Sequence, residues 1–350
     1  MSPTENPRRR LFRGLAWAAI VASFPVWFAA FLVVPFLPIS AAARTGLAAA
    51  CVAAGEALFW GAGLVLGAEV MARFRPPRVD TGRSFAGRRV AVLGATGGLG
   101  EAVARAVARE GGALVLLARD AVRLERLARE LDAPFVVTDL SPRSLRAAAG
   151  TYGAIDHLVC ATGLDVRRSL ASHRDEEVTD QLAVALAGPI HVTRAFLPAL
   201  RPRGTIALFG GFADGALALP YYTVDVAARA GLAGFCSATN RELAVEGSDA
   251  RLCYLCPAPA DTASERPYAS LWRAMGAAPV APDAVARYVL QSLLMRRTVA
   301  IMGFSTRALA WLSRVVPPLG DWLAVRRFGP LLRTAFGDGV SPLAEVERQE

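Results

Sequence analysis

The sequence predicts an α/β protein: a doubly wound parallel sheet of about seven strands preceded by two transmembrane helices. Three observations lead there. No charged residue occurs from Gly14 to Ala43, and an Ala-, Gly- and Leu-rich stretch follows from Thr45 to Ala72, where about 20 apolar residues suffice to span a bilayer core. From Arg88 onward, short β-rich runs alternate with helical ones, as in a parallel sheet covered by helices. Between the first such run and the first helix lies a glycine-rich loop.

Composition agrees. Hydrophobic residues make up 54% of the 350 and mean hydropathy is +0.36, above the ~45–50% apolar content of soluble chains. The formal charge is +9, and all 39 basic residues are arginine. This charge sits beside apolar segments, not among aromatics on a polar face, so membrane lipid is the expected partner and nucleic acid is not. Five cysteines scattered in apolar contexts outline no disulfide framework. Three histidines, His157, His173 and His191, lack ligand spacing, so no metal is expected.

Residues 1–13 form a basic N-terminus. "RRRLFR" ahead of an apolar run resembles a signal peptide, but the run is too long and lacks a small-residue cleavage site. Residues 14–72 form a helical hairpin, with Gly63 and Gly67 spaced for close helix approach. Arg8, Arg9, Arg10 and Arg13 precede it, Arg73, Arg75, Arg78, Arg83, Arg88 and Arg89 follow it, and the turn holds only Arg44. Both ends are therefore expected on the cytoplasmic side of the inner membrane, in a multi-pass topology that places the α/β domain in the cytoplasm. Glu56 is costly in lipid and is expected to be hydrogen-bonded across the hairpin or to another subunit; Glu69 reads as interfacial.

An arginine- and proline-bearing linker, 73–87, leads to the α/β domain, 88–303. Strands are expected near Arg89 to Gly94, Ala113 to Ala118, Pro134 to Thr138, His157 to Cys160, Thr205 to Gly210, Arg251 to Cys256 and Val299 to Gly303. Cys253 and Cys256 fall in a strand, where they face opposite ways and make no metal pair. In 304–350, Trp311 and Trp322 alternate with Arg307, Arg314, Arg326, Arg327 and Arg333. That pattern suits broken amphipathic helices at a membrane surface, or a lid packed over a substrate.

"VAVLGATGGLGEAVARAVAREGG" places Gly94, Gly98 and Gly100 after the first strand and opens a helix near Leu99. Glycines let the backbone turn sharply and approach a pyrophosphate, which then sits on the helix N-terminus. Strand, loop and helix occur in the order a Rossmann-like dinucleotide site requires.

The Gly-x-x-x-Gly-x-Gly spacing resembles that of the short-chain dehydrogenase/reductase family, and other landmarks from Arg88 to Gly303 agree. The resemblance implies a cofactor cradle of Gly94, Thr96, Gly97, Gly98, Leu99 and Gly100. Arg119, after "LVLLARD", stands where basic residues favour NADP(H) over NAD(H). Asp139 and Leu140 in "VVTDL" match the adenine-contacting position. Ala161 and Gly163 in "CATG" stand for the family's Asn-Asn-Ala-Gly turn. Pro257 and Thr262 in "CPAPADT" resemble the Pro-Gly segment beside the nicotinamide, with Ala258 in the glycine's place. Such proteins commonly pair through their long helices, which leaves a homo-oligomer open.

The family's catalytic tetrad survives only in part. In "LPYYTVDVAARAGLAGF", Tyr222 matches the proton-transferring tyrosine, and the lysine four residues on is Val226. No lysine exists anywhere in the chain. The serine position falls on Gly210 or Gly211, and the asparagine on Ala185. Tyr221 meets only Asp225 four residues on, whereas Arg229 lies two turns from Tyr222 on the same face and could lend a charge, though an arginine is geometrically a poor stand-in for an ammonium. A free phenol ionises near pH ~10, so without a cation it is an acid rather than a base. The expected function is therefore a membrane-anchored, NAD(P)(H)-binding protein with non-standard or no oxidoreductase activity. The alternative is an NADPH-dependent reductase of a lipophilic carbonyl substrate with Tyr222 as proton donor.

Overall fold

The computed structural model describes the backbone of residues 7–74 and 84–337, with side chains over 18–63, 84–212 and 214–337. The chain divides into two compact units, 1–79 and 80–350.

The first unit holds α1 (Pro7–Leu32) and α2 (Ala41–Phe74), joined through a 3-10 turn at Val34–Phe36. The uncharged run from Gly14 to Ala43 is thus not one helix. Pro35 and Pro38 lack amide donors, and Leu37 before Pro38 is extended (φ −68°, ψ 140°), so the chain turns there. Arg44, expected in the turn, lies in the first turn of α2, and its Nε donates to the Leu37 carbonyl at 3.1 Å. The stretches Ala18–Phe36 and Ala41–Gly63 are long and apolar enough to cross a membrane.

Within this pair the close approach comes at Gly55, where an added Cβ would lie 2.2 Å from Trp27 Cδ1. Gly63 faces open space, and the surroundings of Gly67 lie outside the described side chains. Glu56 accepts from Trp60 Nε1 at 2.6 Å, one turn along its own helix, rather than from across the hairpin. Glu69 and the flanking Arg8, Arg9, Arg10, Arg13, Arg73, Arg75, Arg78 and Arg83 also lie outside the described side chains.

In the second unit β1 (Arg89–Leu93), α3 (Gly98–Arg109), β2 (Ala113–Ala118), α4 (Ala121–Leu131), β3 (Phe135–Val137), α5 (Pro142–Tyr152) and β4 (Ile155–Cys160) alternate. Then come α6 (Asp175–Leu182), a π turn at Ala183–Ala187, α7 (Gly188–Phe196), β5 (Leu200–Phe209), α8 (Thr223–Val245) and β6 (Arg251–Cys256). α9 (Ala269–Ala274), α10 (Pro282–Leu294) and β7 (Val299–Ile301) complete the sheet, whose order β3-β2-β1-β4-β5-β6-β7 is parallel throughout. The order reverses between β1 and β4, which makes the carboxyl ends of those strands the place for a ligand. Each expected strand is present; β5 starts at Leu200, five residues before the expected Thr205, and its pairing with β4 shifts register there.

Strand alternation builds two core layers. Val90 and Val92 pack with Val103 and Leu290 of α3 and α10, whereas Ala91 and Leu93 pack with Val192 and Leu232 of α7 and α8. Cys253 and Cys256 fall in opposite layers, as their spacing requires. The stretch 175–199 is also apolar enough to be a membrane span, yet Gln181, Val192 and Phe196 are buried against this domain, and we assign it to the sheet's covering layer. Phe85, from the expected linker, is fully buried in the first layer, a placement worth roughly 1.5–3 kcal/mol.

The C-terminal region forms α11 (Phe304–Val315), α12 (Pro317–Trp322), a π turn at Leu323–Phe328 and α13 (Gly329–Phe336). Its inner face, Phe328, Leu332 and Phe336, makes a third apolar cluster with Tyr222 and Tyr268. Its outer face leaves Trp311 64% and Trp322 57% exposed.

Candidate active site

The glycine loop forms the floor of the site. Gly94 adopts φ +81°, which favours glycine, and its carbonyl accepts the Gly97 amide at 3.0 Å. A Cβ on Gly100 would lie 2.0 Å from the Gly94 carbonyl oxygen, and one on Gly98 would lie 2.7 Å from Thr262 Cγ2. No side chain caps α3 at Gly97, so its first amides are left for an anion. Arg123 braces the loop by donating to the Thr96 carbonyl at 2.8 Å. These residues fit a dinucleotide pyrophosphate.

Beyond the loop, Arg119 stands exposed at the end of β2. Its neighbour Asp120 is engaged as the cap of α4, accepting the Arg123 amide at 2.9 Å. Asp139, past β3, accepts from the Ser141 hydroxyl at 2.6 Å and amide at 3.0 Å, which holds its carboxyl below the usual range. Leu140 packs so closely over Gly188 that a Cβ there would lie 2.8 Å from its Cδ1. Ala161 continues β4, donating to the Leu93 carbonyl at 2.9 Å.

A cavity of about 640 Å³ runs from Gly97, Gly98 and Leu99 past Gly163 and Pro257 to Tyr222. Arg119, Asp139, Leu140 and Thr96 lie outside it, at the ends of β1, β2 and β3. The cavity's far wall is apolar and includes Met275, Leu309 and Phe328 from the C-terminal half.

Tyr222 precedes the first turn of α8 and is 2% exposed. Its ring packs edge-on against Phe212 and Phe336, with centroids 5.2 and 5.7 Å away. Its hydroxyl has no hydrogen-bond partner among the described residues. Burial raises the phenol well above its ordinary range, with Arg167 only partly opposing this, so it stays protonated at neutral pH. Tyr221, just before it, takes φ +67°, and Phe212 and Asp214 after β5 also have positive φ. Two of these strained positions, Tyr221 as its chain neighbour and Phe212 through its ring, adjoin Tyr222, at a cost of about 1–3 kcal/mol each.

Arg229 does not reach the phenol. Its Nη1 donates to the Phe209 carbonyl at 2.8 Å, its Nε to Asp225 at 3.1 Å, and its Nη2 pairs with Asp165 at 3.5 Å. The cation beside Tyr222 is Arg167, from the segment after β4, whose guanidinium carbon lies 5.5 Å from the ring centroid. Arg167 Nη2 pairs with Asp165 at 3.2 Å and with Glu265. Burial opposes its charge, but Tyr222, Asp165 and Glu265 outweigh that and keep it protonated. The result is an alternating chain of charges, Asp225–Arg229–Asp165–Arg167–Glu265, along the cavity wall. Asp225 is pushed up to about 6, by burial first and by Asp165 as well.

The positions at which the sequence places the lysine, asparagine and serine hold other groups. Val226, in the lysine's place, packs against the aromatic cluster of Tyr222 and Phe336, where an ammonium would lose its hydration. Ala185 is fully buried within the π turn. A Cβ on Gly210 would lie 2.1 Å from the Tyr254 ring, whereas one on Gly211 meets nothing nearer than Arg229 Cγ at 3.9 Å. Only Gly211 has room for the serine. Arg167, Glu265, Trp272 and Tyr254 were not foreseen, and Arg167 lies in a charged stretch, "DVRRSLASHRDEE", where nothing in the sequence singles it out.

A family profile described as short chain dehydrogenase matches residues 88–270. The chain is 31% identical over 116 residues to an uncharacterized oxidoreductase of Staphylococcus epidermidis, a match covering 31% of this chain and half of that protein. It is 26% identical over 269 residues to 3-dehydrosphinganine reductase TSC10B of Arabidopsis thaliana, covering 71% of this chain and 80% of that one. A short chain dehydrogenase/reductase from Burkholderia phymatum, solved in complex with NAD, has a similar fold: the TM-score is 0.60 at 21% identity, over 67% of this chain and 95% of the other.

Proposed function

Because the chain belongs to the short-chain dehydrogenase family, we propose that it is a membrane-anchored, nicotinamide-dependent reductase of an apolar carbonyl compound, with Tyr222 as proton donor. The observation that carries this reading is the cavity that joins the glycine cradle to the unpartnered Tyr222 hydroxyl beneath an apolar wall.

In this reading Gly94, Gly97, Gly98, Leu99 and Gly100 hold the pyrophosphate, and Ala161, Gly163, Pro257 and Thr262 flank the nicotinamide. Thr96, Asp139 and Leu140 serve the adenosine end. Arg119 favours the 2′-phosphate of NADP(H), since Asp120 is already committed to its helix cap. A bound reduced dinucleotide supplies two electrons and a hydrogen, as hydride, to the carbonyl carbon. Tyr222 gives its proton to the oxygen as the C=O π bond opens, and the phenolate recovers a proton from water.

A buried hydroxyl held protonated at neutral pH is in the form needed to donate a proton, which suits Tyr222 to the acid's role in a reduction. General acid help of this kind is worth about 10²–10⁴ in rate, while the missing serine forgoes a donor of a type worth ~10²–10³. A relative named as a reductase of 3-dehydrosphinganine supports the same direction. The apolar helices α1 and α2 would anchor the chain in the membrane where such substrates reside.

The test is a titration of the detergent-solubilised full chain with NADPH, followed by fluorescence, and then addition of long-chain ketones while the absorbance of the reduced cofactor is monitored. Turnover that Tyr222→Phe abolishes supports the reading. Tight NADPH binding without turnover would support the second one, a binding protein, which the Tyr254 ring beside Gly210 favours. Failure to bind either dinucleotide defeats both.

A further inference from the structure

Arg167 is only 7% exposed and lines the same cavity as Tyr222. Its Nη2 is doubly paired, to Asp165 and Glu265, but Nε and Nη1 have no hydrogen-bond partner among the described residues. The guanidinium is held by aromatic rings, with its carbon 4.4 Å from the Tyr268 centroid and 5.9 Å from that of Trp272. Trp272 is itself fixed, donating Nε1 to Glu265 at 2.8 Å. Both residues line one cavity, and each holds buried donors, a phenol and a guanidinium edge, that have no hydrogen-bond partner among the described residues. Leaving such groups unsatisfied is costly, and more so for a charge.

We propose that Arg167 and Tyr222 together bind the oxygen of the substrate's carbonyl group, Arg167 supplying the donor that Gly211 lacks. The inference rests on the carbonyl-reductase reading above. A guanidinium cannot deliver its proton at neutral pH, so Arg167 polarises and positions the oxygen, and Tyr222 donates the proton. This division of work replaces the serine–tyrosine pair of the family with an arginine–tyrosine pair, its cation brought by the segment after β4 instead of the helix that follows β5.

The charges also specify the substrate's chemistry. Along the cavity wall three carboxylates, Asp165, Asp225 and Glu265, face two guanidiniums, Arg167 and Arg229. That arrangement leaves no net positive charge for an anion. A neutral ketone or aldehyde suits it, and an acid whose carboxylate sits at the reacting end does not.

The test uses the full chain in detergent, loaded with oxidised cofactor so that nothing turns over. Three probes of equal length are titrated: a long-chain methyl ketone, the parent hydrocarbon and the fatty acid. The wild-type protein should bind the ketone about ten- to hundredfold more tightly than the hydrocarbon, as expected for a hydrogen bond from a charged donor, and more tightly than the acid. Arg167→Met should erase the ketone's advantage while leaving cofactor affinity unchanged, and Arg167→Lys should retain part of it. Independently of any variant, the infrared stretch of an isotope-labelled ketone carbonyl should fall below its value in empty micelles when bound to wild-type protein. A purely structural arginine would alter stability and leave that stretch where it was. Retention of the wild-type preference by Arg167→Met, or an unshifted carbonyl in the wild-type protein, overturns the inference alone. If the wild-type protein binds none of the three probes, the apolar-carbonyl reading falls, and the inference with it.

Discussion

The Tyr254 phenol donates to the Gly211 carbonyl at 2.6 Å and accepts the amide of the same residue at 2.9 Å. One side chain from β6 thus fixes both backbone polar groups at the end of β5, where the family carries its serine. The ring that makes this clamp occupies the space a side chain on Gly210 would need. The two glycines are therefore not equivalent: the ring excludes a side chain at Gly210 and leaves room for one at Gly211.

Gly211→Ser should fold normally, because its Cβ has room, and should raise the reduction rate about tenfold or more by restoring a hydroxyl donor in the cavity. Gly210→Ser should destabilise by about 1–3 kcal/mol through overpacking against Tyr254. Thermal melts and single-turnover absorbance traces of the two variants, side by side, check both. Equal behaviour of the two would contradict the assignment of the serine position to Gly211.

Tyr222→Phe should separate stability from activity. The variant keeps the ring that packs against Phe212 and Phe336 and removes a buried hydroxyl that lacks a protein partner. Its stability should rise by up to about 1 kcal/mol, while turnover falls about 10²–10⁴-fold. Denaturant midpoints and NADPH consumption measure these effects, and a variant both less stable and equally active would refute the role assigned to the phenol.

The sheet was legible in the sequence because its determinants are local. Short continuous apolar runs such as Arg89–Leu93 and turn glycines such as Gly94 lie within a few residues of what they determine. The glycine loop between β1 and α3 was legible for the same reason. The hairpin's details were less so: prolines 35 and 38 set the turn, but the contact of Gly55 with Trp27 depends on how two helices rotate against each other. The reacting end of the site was least legible. Arg167 meets Glu265, 98 positions away, and Tyr254 meets Gly211 across 43, so neither pairing leaves a spacing to read. Arg229 lay at the correct helical spacing from Tyr222, yet the closer oxygens of Asp225 and Phe209 claim its guanidinium.

His157 should make the fold acid-sensitive. It is 3% exposed, Arg88 Nη1 lies 3.3 Å from its Nε2, and Phe85 packs on its ring. Burial, then the charge of Arg88, lowers it to about 4 against Asp156, which opposes the shift, with Arg296 adding to it. From an unfolded value of ~6.5, the unfolded chain binds the extra proton first, so stability is full above about pH 6.5 and is lost as pH falls toward 4. The cost is about 3 kcal/mol. Asp225, raised to about 6, acts in the opposite sense, gaining stability as pH falls from about 6 toward its unfolded value of ~3.9. Comparing His157→Gln with the wild-type protein therefore isolates the histidine: the wild-type advantage should shrink by about 3 kcal/mol between pH 6.5 and 4 in urea titrations. A difference that stays constant over that window would remove His157 from the account.

The C-terminal helices bear on how substrate arrives. Leu309 and Phe328 line the cavity, while Trp311 and Trp322 on the same segment point outward and are more than half exposed. Arg307, Arg326 and Arg327 lie among them in sequence, the mixture expected of helices resting on an anionic lipid surface. If this face takes up substrate from the bilayer, Trp311→Ser with Trp322→Ser should lower turnover of a long-chain ketone dissolved in anionic vesicles severalfold. Turnover of a short, water-soluble ketone should be unchanged, because the cavity itself is intact. In the wild-type protein, brominated lipids should quench part of the tryptophan fluorescence, and the double variant should lose that component. Equal loss of turnover on both ketones would place the two tryptophans in the packing of the domain and not in delivery from the membrane.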